Sequence, residues 1–124
     1  MEKFLFIGLG GFLGSIARYW LATAVYKSLG ESFPYGTLSV NIIGCFMIGF
    51  LMTVFEERFL ALPELRLFLV VGILGGFTTF SSFSYETIAL LRAGNFLYGS
   101  LNVLLSVVVC LVFTWIGIIV GKIM

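Results

Sequence analysis

The sequence predicts an all-α membrane protein with four transmembrane helices, on three observations. Of its 124 residues, 60% are hydrophobic and 10% charged. The mean hydropathy is +1.16, whereas a domain folded in water carries about 25% charged residues. The charges also leave uncharged runs at 4–17, 32–55, 67–85 and 93–121, and the last three reach or pass the roughly 18 residues of a spanning helix. The first run is interrupted by Arg18 alone and continues to Tyr26. Helices are therefore expected near 4–26, 35–55, 67–92 and 96–121, as a single domain over 1–124.

The first helix opens on Glu2 and Lys3, whose charges cancel, and shows no clear small-residue cleavage site. It reads as mature structure rather than a signal peptide. Its glycine cluster, GLGGFLG at 8–14, lacks the order G-x-G-x-x-G and any βαβ context, so it is no nucleotide loop. Gly10 and Gly14 are four residues apart and lead on to Arg18, a spacing that suits close helix packing. Arg18 either snorkels to the interface or attracts anions in a vestibule. Gly30 and Pro34 mark the 27–34 connection.

The second helix carries Thr37, Asn41, Cys45 and Gly49 at four-residue intervals, along one face. Pro63 lies in the 56–66 connection and suits a helix start. The fourth helix repeats the pattern with Asn102, Ser106, Cys110 and Thr114. Asparagine inside a membrane is costly and faces another helix or a cavity. Each stripe is therefore either interhelical glue or the wall of a polar pathway.

The third helix is the unusual one. Residues 72–86, GILGGFTTFSSFSYE, start as an apolar span and turn into glycines, hydroxyls and phenylalanines. Gly75 and Gly76, followed by β-branched Thr78 and Thr79, lower helix propensity, so a break at mid-membrane is expected. A break there frees carbonyls that need partners inside protein or at a cavity, and carbonyls suit a hard cation such as sodium. The alternative is that the glycines only allow close packing. Phe80 and Phe83 share one helix face, and Ser81 and Ser84 another. The rings are either packing residues or, through the positive edges of their quadrupoles, partners with the serines in solvating a small anion. Glu86 closes the segment, either paired with an arginine or at a wet entrance, with proton coupling a weaker third reading.

Several classes are excluded. The net charge of +1 gives no case for nucleic acid, and there is no histidine. Cys45 and Cys110 each sit inside a helix and form neither a disulfide framework nor a zinc site. No nucleophile–base pair or catalytic metal cluster is visible, so no enzyme is expected.

Four short helices enclose little, so transport would require an oligomer. Lys3, Arg58, Arg66 and Lys122 fall on one side, Lys27 and Arg92 on the other. That bias is weak under the positive-inside rule. A chain with so little preference can insert both ways, and two opposed copies would supply the inverted repeat common among transporters. A single topology with both termini inside is the alternative.

Together GGFLGSIARY at 10–19, GTLSVNIIGCFMIG at 36–49 and GGFTTFSSFS at 75–84 resemble the CrcB/Fluc family of fluoride channels, with LSV at 105–107 a weaker fourth piece. The resemblance covers the whole chain. It implies a passive fluoride exporter of the bacterial plasma (inner) membrane, built as an antiparallel dual-topology homodimer in the lipid bilayer. It further implies a central sodium ion on the main-chain carbonyls of Gly75 and Thr78. By the same resemblance Asn41, Phe80 and Phe83 line the fluoride route, with Ser81, Ser82, Ser84 and Ser106 as hydroxyls and Thr37 or Ser39 nearby. Arg18 and Glu86 match the family's basic and acidic positions. The family often has tyrosine where Asn102 stands, a departure that leaves the fourth-helix roles least defined.

Two other readings compete. A small dual-topology multidrug/proton antiporter has this size, but needs an embedded carboxylate in its first helix, where Arg18 stands instead. A nonconducting membrane assembly subunit would use the glycines and asparagines only as glue.

Overall fold

A computed structural model describes residues 1–58 and 62–124. Residues 59–61 of the expected 56–66 connection lie outside them. The architecture is all-helical, with four helical spans long and apolar enough to cross a membrane: Glu2–Leu29, Tyr35–Glu57, Pro63–Arg92 and Phe96–Ile123. Their number and order are those the charge spacing predicts. Each extends past its uncharged run, because helices continue beyond the hydrocarbon and carry their charges at the ends.

Local chemistry sets the ends. α1, Glu2–Leu29, stops at Gly30, whose φ of 85° is the left-handed region open to glycine and whose N–H reaches the Tyr26 carbonyl. α2, Tyr35–Glu57, starts after Pro34. The third span begins at Pro63, four residues earlier than expected, because proline is pre-set for the first helical turn. It ends near Gly94, at φ 82°. The last helix is capped by Asn95, whose side chain accepts from the Tyr98 N–H.

The third span is not one uniform helix. α3, Pro63–Arg66, runs into a π-helical segment, Leu67–Leu74, and then α4, Gly75–Phe77. Thr78 (φ −89°, ψ 157°) and Thr79 (φ −150°, ψ 118°) are extended, and α5, Phe80–Arg92, follows. The glycines themselves are helical, Gly75 at φ −61°, ψ −37°. The departure from helix falls on the two threonines, whose hydroxyls satisfy the backbone on either side. α6, Phe96–Ile123, completes the chain.

Between membrane helices there is no hydrophobic drive, so association relies on close contact at small residues. α1 lies on the π-helical segment and α4, and α2 lies along α6. Gly10 and Gly14 face the backbone of Phe68, Gly72 and Ile73, where any Cβ would collide with main chain. On the other seam Gly49 meets the Thr114 carbonyl, Gly117 the Phe46 carbonyl and Gly121 the Thr53 side chain. Large apolar side chains such as Phe12 and Trp115 point outward, as lipid contact requires. The buried apolar set is small: Phe33, Val40, Phe55, Leu74 and Phe77.

Candidate functional site

The extended threonines are held from several helices. Asn41 of α2 donates from Nδ2 to the Thr79 carbonyl at 3.0 Å and accepts on Oδ1 from the Thr79 N–H at 2.8 Å. This pair satisfies both backbone groups of a residue outside either helix, which would otherwise cost several kcal/mol in lipid. Thr79 Oγ1 in turn accepts from the Ser82 N–H at 3.1 Å, capping α5. Its hydroxyl also meets Ser81 Oγ and Ser82 Oγ, each at 3.2 Å. Thr78 Oγ1 donates to the Leu74 carbonyl at 3.0 Å. The Thr78 methyl occupies the notch left by the missing side chain of Gly44.

Arg18 is tied to the third span. Its Nε donates to the Gly76 carbonyl at 3.0 Å, one of the orphan carbonyls at the end of α4. Among the described residues no side chain donates to the carbonyls of Gly75 or Thr78. Nor do the described residues hold a group of three or more His, Cys, Asp or Glu able to bind a metal. A cation at this point would rest on backbone oxygen.

A cavity of about 500 Å³ opens beside these residues. It brings together Asn41, Gly75, Thr78, Phe80, Phe83 and Ser106 from three spans, and Thr79, Cys45, Cys110 and Thr114 share its wall. No charged residue is in the lining. The Phe80 and Phe83 rings lie 5.3 Å apart at 52°. Phe80 is 78% exposed on the single chain, an unusual position for a ring that only fills a core.

Glu86, Thr37 and Tyr26 form a second cluster. The Thr37 hydroxyl donates to Glu86 Oε2 at 3.0 Å and the Tyr26 hydroxyl does so at 3.2 Å. Glu86 Oε1 is buried with no partner. Tyr26 and Glu86 line a smaller cavity of about 330 Å³ at this end of the fold. Thus Glu86 is paired with hydroxyls rather than with an arginine.

Asn102 has a different setting. It is 1% exposed, donates to Thr87 Oγ1 at 2.9 Å and accepts from Ser106 at 3.5 Å. Thr87 donates onward to the Phe83 carbonyl at 2.8 Å. This relay ties α5 to α6, with Asn102 and Thr87 outside the lining of the larger cavity and Ser106 within it. Ser39 and Ser84 make no side-chain hydrogen bond among the described residues, and Ser84 is exposed. The sequence reading passed over Tyr26 and Thr87. Thr87 had a usable signal, since a threonine four residues after Phe83 can bond back to its carbonyl; nothing local marks Tyr26.

A sequence profile described as "CrcB-like protein, Camphor Resistance (CrcB)" matches residues 5–118. The chain belongs to the CrcB family. Within it, a Geotalea uraniireducens protein is 53% identical over 98% of both chains. One from Geobacter sulfurreducens is 52% identical over 98% of both, and one from Elusimicrobium minutum is 50% identical over 99% of this chain and 96% of its own. Each is named a fluoride-specific ion channel, FluC. The CrcB match spans every residue of both clusters described above.

Proposed function

We propose that this chain is a fluoride-selective channel that lets fluoride leave the cell passively and so protects against its toxicity. It is a multi-pass protein of the bacterial plasma (inner) membrane and not an enzyme. The carrying observation is that full-length relatives at about half identity bear that name, while Asn41, Phe80, Phe83 and Ser106 converge on one uncharged cavity. The antiporter alternative lacks the embedded first-helix carboxylate it needs, since the one carboxylate of α1 is Glu2 in its first turn.

Fluoride is small and strongly hydrated, so a pore must replace its water with many donors. Asn41 spends one Nδ2 hydrogen on Thr79 and keeps a second for an ion. Hydroxyls of Ser81 and Ser82 add further donors, and ring edges of Phe80 and Phe83 add weak positive contact. Without a fixed positive charge in the wall, an anion is not trapped.

The finer reading is a third helix broken at mid-membrane, an antiparallel dual-topology homodimer and a sodium ion between the two copies. The free carbonyls of Gly75 and Thr78 fit such an ion, and a hard monovalent cation suits carbonyl oxygen. It would hold the two breaks together. Gly75 and Phe80 are both exposed on the single chain, which supports a second copy covering them.

The test is fluoride efflux from liposomes holding the purified protein, with chloride as comparator. Fast fluoride loss without chloride loss is expected. Equal leak of both ions, or none of either, would overturn the reading.

A further inference from the structure

The cavity wall contains two thiols that the fluoride reading leaves unused. Cys45 lies on α2 and Cys110 on α6, both half-buried and unbridged. The two helices run side by side in one register: Gly49 touches Thr114, Gly117 touches Phe46 and Phe50, and Gly121 touches Thr53. One turn back from the Gly49–Thr114 contact, that register sets Cys45 level with Cys110. Both thiols line the same cavity.

We propose that Cys45 and Cys110 form a two-thiol site for a soft, linearly coordinating divalent cation, and that filling it obstructs the cavity. Paired sulfur ligands without carboxylate or imidazole select soft metals over sodium, magnesium or calcium. With mercuric hydroxide, the form mercuric ion takes in neutral chloride-free water, two S–H and two Hg–O bonds break, two Hg–S bonds form and the protons leave as two waters, with no change of oxidation state. The product is a neutral dithiolate, so no net charge remains in a low-dielectric wall. Asn41 precedes Cys45 by four residues and Ser106 precedes Cys110 by four. The metal therefore sits about one helical turn, roughly 5.4 Å along the axis, from Asn41 and Ser106. Obstruction rests on the channel reading; metal binding does not.

The experiment titrates full-length protein with mercuric nitrate in chloride-free buffer, following the loss of free thiols and the ultraviolet Hg–S charge-transfer band. The same addition is made to fluoride-loaded liposomes. The parent should lose two free thiols per mercury bound and most of its fluoride flux, with recovery on adding dithiothreitol. Cys45→Ser and Cys110→Ser should each lose one thiol per mercury, bind it more weakly, and keep most of their own mercury-free flux. A parent that loses one thiol per mercury, or single variants that bind and block like the parent, would overturn the site. Two-thiol binding with undiminished flux would overturn the obstruction. A parent silent to fluoride before any mercury is added would instead sink the channel reading, while the thiol count still decides the thiol pair.

Discussion

Asn41 shows how one side chain serves two ends. Its amide clamps Thr79 through both carbonyl and N–H and still holds a donor toward the cavity. Asn41→Asp keeps an acceptor for the Thr79 N–H, loses the donor to its carbonyl and adds negative charge to an anion route. Fluoride flux should be abolished, and the lost bond should cost about 1–3 kcal/mol, read as a lowered unfolding midpoint in detergent. Phe83→Ile keeps most of the apolar bulk but removes the ring edge; strongly reduced flux with unchanged assembly is expected, and parent-like flux would make the ring a packing residue. Glu86 is a separate case. Its Oε2 accepts from Tyr26 and Thr37, so Glu86→Ala strands two hydroxyls at about 1–3 kcal/mol, whereas Glu86→Gln retains an acceptor and should melt near the parent. Equal loss in both variants would show that the charge, not the acceptor, matters there.

At the scale of elements, the sequence made the four spans and the glycine spacing readable, because burial in lipid is written in charge and composition. It did not reveal which helices pair, since partner choice depends on backbone surfaces meeting across the fold. It also split Gly75 from Gly76 poorly. The two look alike in sequence, yet a Cβ on Gly76 would stand 2.8 Å from the Gly11 carbonyl oxygen and 3.1 Å from Ser15 Oγ, while the nearest atom to one on Gly75 is 3.9 Å away. So Gly76 carries the packing role, and Gly75 faces open space on the single chain. Gly76→Ala must push α1 away and should destabilise by about 1–3 kcal/mol, the usual range for overpacking. Gly75→Ala should leave the protomer's melting unchanged. Similar melting of the two variants would remove this distinction. The Phe80–Phe83 spacing was legible, and both rings line the cavity. The same was not true of Asn102, whose role in tying α5 to α6 depends on Thr87 fifteen residues away.

For the whole molecule, the question is how many ways the chain enters the membrane. The structure sharpens the charge count, because Arg18 is bonded to the Gly76 carbonyl and belongs to neither flank. That leaves Lys3, Arg58, Arg66 and Lys122 against Lys27 and Arg92, too small a difference to fix one orientation strongly. The exposed Gly75 and Phe80 lie beside carbonyls that no side chain among the described residues reaches, a surface that a reversed copy would cover with its own matching set. Single cysteines placed at Lys3 and at Met124, in a chain with Cys45→Ser and Cys110→Ser, should therefore each be labelled by an impermeant maleimide in both right-side-out and inverted vesicles. About half of each population should react from either side, and the share should move toward one side when several lysines are added at Lys27 and Arg92. Labelling of both termini from one side alone would show a single topology and remove the antiparallel dimer.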